Sequence, residues 1–251
     1  MKMENSNLII KRPYKEVYKC EEGIVKVFET THPKSAVFNE ALNTVRVEET
    51  GLDIPKLKEV VQVEGKWALV IEYKEGKTLE EVMKADPENV EKYMSDFVDL
   101  QLQIHEKKAP MLNKLKDKLA AQIDHLKELD ATQRYELRTR LESMPKHTKV
   151  CHGDFNPSNV IVEPDGKMTV VDWAHATQGN ASADAAMTYL LFALKDQKMA
   201  DLYMDLFCKK SDTAKQYVQQ WLPIVAASQL EKDNELEKEF LMKWIDVMDY
   251  Q

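Results

Sequence analysis

Cysteine is scarce in this chain. Cys20, Cys151 and Cys208 are dispersed, and no pair has the spacing of a metal site. They read as free thiols of a cytoplasmic protein. Cys151 ends an apolar approach, which makes it a buried structural residue rather than a nucleophile. Long apolar runs are missing too: none approaches about 18 residues, and residues 1–7 have no apolar signal core, so a soluble chain is expected. A basic excess is also absent. Lys and Arg number 35 against 43 Asp and Glu, a formal charge of -8, which disfavours nucleic acid or an anionic membrane as partner. No repeat, linker or low-complexity segment stands out in the 251 residues, a length that suits one large or two small domains.

What is present is concentrated in residues 151–173. Asp154, Asn159 and Asp172 sit there among apolar residues. Residues 160–163 and 168–171 read as short strands, separated by the turn sequence Glu163-Pro164-Asp165-Gly166. A hairpin brings Asn159, before the first strand, opposite or nearly opposite Asp172, after the second. Neighbouring strands lie about 4.8 Å apart, so the two side chains could share one divalent cation. Asp154 lies on the loop leading into this pair. A carboxylate beside two hard oxygen donors is what phosphoryl transfer to a hydroxyl requires.

This segment resembles the catalytic core of the protein-kinase-like superfamily, whose loop H-R-D-L-x-x-x-N is followed by an Asp-Phe-Gly metal motif. Residues 152–159 keep His152, Asp154 and Asn159, with Gly153 in place of Arg; Trp173 and Ala174 replace the Phe and Gly. Both departures resemble the aminoglycoside phosphotransferase and choline kinase branch, whose members phosphorylate small molecules. The resemblance implies an α+β, bilobal fold. Residues 1–75 would form a nucleotide-binding lobe with a five-stranded antiparallel sheet and one helix. Residues 76–251 would form a larger, mostly helical catalytic and substrate-binding lobe.

The earlier residues fit that order. Runs 7–10, 16–20, 24–28, 60–63 and 67–72 read as strands, and Val37, Phe38, Leu42 and Val45 mark a helix over 34–49. Lys26 alternates with apolar neighbours; from the strand alone it could simply face solvent. The resemblance implies that it holds the α- and β-phosphates and that Glu40, rather than Glu48 or Glu49, orients it. It also implies that the carbonyl of Glu72 and the amide of Lys74 bind the purine at a hinge aligned on Gly76. The segment Lys11-Arg12-Pro13-Tyr14-Lys15 has no glycine, although kinases place a glycine-rich turn over the phosphates here.

Beyond the hinge the chain turns helical. Asp86-Pro87-Glu88 starts a helix, and Val90, Tyr93, Met94, Phe97, Val98 and Leu102 trace its apolar face. Leu112, Leu115, Leu119, Ile123 and Leu126 mark a second helix, and Tyr135, Leu137 and Leu141 a third. After Asp172 only a short segment precedes Asp184, which is expected to open an apolar helix over 187–194. His105 and His175 have no second zinc ligand at helical or turn spacing. The expectation is a kinase using Mg2+ and ATP or GTP, acting on a hydroxyl of a small, amine-containing acceptor. Asn159 and Asp172 would hold the metal, Asp154 would orient and deprotonate the hydroxyl, His152 would brace the loop, and Asn156 would face the transferred phosphate or serve the turn. A protein Ser/Thr kinase and a catalytically silent nucleotide-binding scaffold are the alternatives. An acidic patch including Asp246, Asp249 and the terminal carboxylate of Gln251 would favour an aminated acceptor.

Overall fold

The computed structural model describes residues 7–231 and 234–245; Asp246, Asp249 and Gln251 lie outside them. The chain forms two compact units. One takes the described residues up to Val82 together with Ser158–Ala176, and the other Met83–Pro157 together with the described residues from Thr177 onward.

In the first unit, β1 (Leu8–Lys11), β2 (Lys15–Cys20), β3 (Gly23–Phe28), β4 (Leu57–Val63) and β5 (Lys66–Ile71) form one antiparallel sheet in the order β1-β2-β3-β5-β4. Val25, Val27 and Ala68 bury one face, with Tyr18; Phe28 and Leu69 bury the other. The Glu64-Gly65 loop has φ of 50° and 79°, the twist a two-residue hairpin turn needs.

Helix α1 (Lys34–Glu48) covers the second face through Val37 and Ala41. Its rotation differs from the sequence expectation. Phe38 and Leu42 are 41% and 46% exposed, while Glu40, Asn43 and Thr44 point inward. The apolar residues of α1 do not form one stripe, and buried polar groups with partners take the positions expected of core. Phe38 instead packs edge-on against Trp67 at 5.0 Å.

A second small sheet joins β6 (Lys77–Thr78), β8 (Val160–Val162) and β9 (Met168–Val170) in the order β6-β8-β9. Gly76, at φ 153°, precedes β6; a Cβ there would lie 2.2 Å from the Val162 carbonyl oxygen. Only glycine permits that approach. Helix α2 (Leu79–Ala85) follows β6.

The second unit is mostly helical. Its helices are α3 (Val90–His105), α4 (Leu115–His125), α5 (Ala131–Ser143), α6 (Ala181–Ala193), α7 (Gln197–Ser211), α8 (Lys215–Gln219), α9 (Leu222–Leu230) and α10 (Glu235–Ile245). Strands β7 (Lys149–Cys151) and β10 (Thr177–Gly179) pair antiparallel. On α3, Met94, Phe97, Val98, Gln101, Ile104 and His105 form the buried face at helical spacing. Asp130 and Gln133 make a capping box at α5, a device that stabilises a helix start by about 1 kcal/mol. Tyr135, expected on the apolar face of α5, is 72% exposed; Leu137 and Leu141 carry its packing. Helix α6 starts earlier than expected, because the Asn180 side chain caps the Ser182 amide at 2.9 Å. Asp184 therefore sits inside its first turn. Trp221 is fully buried. Among the described residues no helix is long and apolar enough to cross a membrane.

Candidate active site

Lys26 is the centre of a charge cluster in the first unit. Its Nζ lies 2.6 Å from Glu40 Oε1 and 2.7 Å from Asp172 Oδ1. Lys15, the first residue of β2, reaches the other oxygen of Asp172 at 3.4 Å. Lys26 is 8% and Glu40 6% exposed, so this is a buried pair whose charges need each other. Burial opposes the charge on Lys26, but Asp172 and Glu40 outweigh it and raise the pKa above the ordinary lysine range. Burial likewise opposes the charge on Asp172. There Lys26 and Lys15 win, holding the carboxyl well below the usual carboxylate range. Asp172 is therefore a carboxylate at neutral pH.

The β8–β9 hairpin places Asp172. Val160 pairs with Val170, and the Val171 amide donates to the Asn159 carbonyl at 2.9 Å. Asn159 and Asp172 therefore stand at the open end of one ladder, Asp172 one step beyond the last paired position. Asp172 has φ 65° and ψ 65°, a left-handed conformation that costs a non-glycine residue about 1 kcal/mol or more and gathers at functional sites. Asn43, on the buried face of α1, donates to the Ala174 carbonyl at 3.0 Å and secures the turn after Asp172. Asp172 and Asn159 offer hard oxygen donors. Glu72 and Lys74 pair with each other at 3.1 Å at the exit of β5, and Glu72 also accepts from the Lys56 amide at 3.2 Å.

Asp154, His152 and Asn156 belong to the second unit, on the loop after β7. Gly153 has φ 79°, which explains glycine where an arginine was the alternative. The loop is anchored on both sides of Asp154. The Phe155 ring is fully buried and stacks on Phe97 at 4.2 Å, a contact worth about 1 kcal/mol beyond burial. The Asp154 amide donates to His152 Nδ1 at 3.2 Å, and Asn156 Nδ2 donates to the Asp154 carbonyl at 2.9 Å. The half-buried Asp154 is thus presented on a fixed backbone. The chain crosses from this unit into the first between Pro157 and Ser158.

Two residues that sequence reasoning did not single out complete this picture. Asp184 is fully enclosed; it accepts from the Gly153 amide at 2.7 Å and lies 2.9 Å from His105 Nε2. Burial raises its pKa, yet the His105 hydrogen bond and charge and the Gly153 amide hold it below the ordinary value. The signal was a lone carboxylate in an otherwise apolar helix. Its partner His105 comes from α3, so neither sequence spacing nor a turn could reveal the pair. The other residue is Lys15, visible as a basic residue in the glycine-free segment. Cys20, Cys151 and Cys208 are free thiols, and burial pushes the Cys151 thiol far up.

The sequence profile described as the phosphotransferase enzyme family matches residues 16–221. A thermostable mutant of aminoglycoside phosphotransferase APH(4)-Ia superposes with a TM-score of 0.72 at 14% identity, covering 96% of this chain and 92% of that one. Aminoglycoside-3'-phosphotransferase of type VIII gives 0.66 at 16% identity, over 88% and 92%. Choline kinase LicA from Streptococcus pneumoniae gives 0.64 at 16% identity, over 95% and 92%. Among curated proteins none matches the chain by sequence. The resemblance carried by residues 151–173 is borne out, and the fold is the α+β protein-kinase-like one. The chain belongs to the phosphotransferase enzyme family.

Proposed function

We propose that this phosphotransferase moves the terminal phosphate of a nucleoside triphosphate to a hydroxyl of a small molecule. The observation that carries the reading is the buried ammonium of Lys26 held between Glu40 and Asp172. Such a cation, fixed by one carboxylate and adjacent to another, is a phosphate grip next to a metal ligand.

In this reading Lys26 binds the α- and β-phosphates and Glu40 keeps it in place. The Glu72 carbonyl and the Lys74 amide hold the purine. ADP and AMP-PNP in complexes of APH(4)-Ia, and AMP in LicA, support ATP as the donor. Asn159 and Asp172 would hold magnesium. Among the described residues no group of three or more His, Cys, Asp or Glu could hold a metal ion. A two-oxygen set suits magnesium, which takes its other ligands from phosphates and water. Bound there, magnesium neutralises charge developing on the phosphate oxygens. Asp154 orients the acceptor hydroxyl and accepts its proton as the new oxygen–phosphorus bond forms and the bond from the terminal phosphorus to the β-phosphate oxygen breaks, releasing nucleoside diphosphate. His152 braces the loop, and Asn156 fixes its turn, leaving Asp154 the reacting group. We assign the donor groups mainly to an N-terminal lobe, residues 1–75, and acceptor binding to residues 76–251.

Only the eight residues 173–180 separate Asp172 from α6, which supports a small acceptor over a docked peptide. Hygromycin B is bound in an APH(4)-Ia complex and LicA is a choline kinase; with the net charge of -8 they support an amine-bearing acceptor. Nucleic acid and membrane are not part of this reading. The test is a panel of hydroxyl- and amine-bearing metabolites assayed for ATP and GTP consumption with magnesium. At least one should stimulate consumption, and the Asp154→Asn variant should not respond to it. A panel without any stimulating compound, beside phosphorylation of a generic protein, would reject the proposal.

A further inference from the structure

The turn between β1 and β2 raises a question of supply. Kinase-like proteins commonly cover the phosphates here with glycine-rich backbone amides, and this chain has no glycine in the segment. The Arg12 amide donates to the Lys15 carbonyl at 2.8 Å, so Pro13 and Tyr14 alone form the loop. Arg12 has thus committed its N–H, and proline has none. The turn is also pinned in place. The Tyr14 carbonyl accepts from the Glu29 amide at 2.9 Å. The Tyr14 ring stacks on His32 at 5.2 Å, and His32 on Phe28 at 5.4 Å.

What the turn does deliver is Lys15. In the β2–β3 register Val17 lies opposite Lys26 and Lys15 opposite Phe28. Side chains two apart share a face, so Lys15 and Lys26 are diagonal neighbours on one side of the sheet. The Lys15 side chain is only 12% exposed, and its Nζ reaches Asp172 Oδ2. Lys26 holds a second carboxylate, Glu40, at 2.6 Å. A buried cation needs a facing anion. Asp172 lies 2.7 Å from Lys26 but 3.4 Å from Lys15, so Lys15 is the less tightly held cation and the one placed to face the phosphates, with or without a divalent cation at Asp172.

We propose that Lys15 is a second phosphate-gripping side chain of the nucleotide site, supplying with an ammonium part of what a glycine-rich turn would supply with amides. This rests on the donor-site reading above. The test is calorimetric binding of ATP, ADP and adenosine to the unsubstituted chain, Lys15→Met and Lys15→Arg, each with magnesium and again with the metal chelated; GTP replaces ATP if it binds more tightly. Loss of one charge-assisted phosphate contact should weaken ATP and ADP about 10- to 100-fold in Lys15→Met. Adenosine binding should be unchanged, and Lys15→Arg should stay within a few-fold of the unsubstituted chain. The loss should persist without metal, because the contact is to phosphate. A loss seen only with magnesium would reduce Lys15 to a positioner of Asp172 and overturn the proposal, as would unchanged ATP affinity. Lys15→Gln gives the same test should the methionine variant fold poorly. If the unsubstituted chain binds neither triphosphate, the donor site itself fails, and Lys15's role with it. Binding that survives Lys15→Met removes only the latter.

Discussion

Asp184 accepts the backbone amide of Gly153 at 2.7 Å, so a carboxylate in the first turn of α6 fixes the loop that carries Asp154. The same carboxylate meets His105 from α3 at 2.9 Å. Three segments of the second unit converge on one buried group, and the loop's geometry depends on it.

Asp184→Asn should therefore destabilise the protein by about 3 kcal/mol, the cost of breaking a buried pair from one side. It should also lower turnover. The folded carboxyl is held below its ordinary value of 3.8, so its contribution is fully present above that value and is lost as pH falls through the lower, folded one. Urea unfolding from pH 7 to pH 2 should show the difference between the two proteins shrinking from roughly pH 4 downward. A constant difference across that range would contradict the assignment.

Lys26→Met leaves Glu40 buried without its cation. A loss of about 3–5 kcal/mol in unfolding free energy is expected. Lys26→Met combined with Glu40→Met should recover much of it, because both charges are then gone. Equal instability of the single and double variants in denaturant titrations would speak against the pairing.

The metal assignment makes a graded prediction. Asp172→Ala should abolish most of the magnesium dependence of ATP binding, and Asn159→Ala should weaken it less, since it removes a neutral ligand. Calorimetry with and without magnesium measures both. Undiminished magnesium dependence in the pair would remove these residues from the metal site.

Gly76→Ala tests the packing that seats the segment after β5 on the β8 strand. Its added Cβ meets the Val162 carbonyl at 2.2 Å, at a φ of 153°. Backbone must move, and a loss of at least about 2 kcal/mol in stability follows. Wild-type stability in thermal unfolding would mean the segment lies elsewhere.

The loop 152–159 and its hairpin were legible in the sequence because their information is local. Asp154, Asn159 and Asp172 are tied together by short spacing and one strong turn, so the polar pattern survives any tertiary context. The rotation of α1 was not legible. Phe38 and Leu42 repeat with the same period as Val37 and Ala41, and nothing local says that Glu40, Asn43 and Thr44 take the inward face. Asp184 depends on His105 and Gly153, both distant in sequence. Lys15 depends on strand register: the two-residue Glu21-Glu22 turn between β2 and β3 sets it diagonal to Lys26.

The most direct measurement is phosphorus NMR of the chain incubated with ATP, magnesium and the metabolite panel, followed by separation of protein from small molecules. The account predicts a new phosphomonoester resonance in the small-molecule fraction. Asp154→Asn should reduce its rate of appearance by about 10²–10⁴ while ATP binding is retained. A phosphoester that forms equally fast without the Asp154 carboxylate, or phosphate found only as inorganic phosphate or on protein, would contradict it.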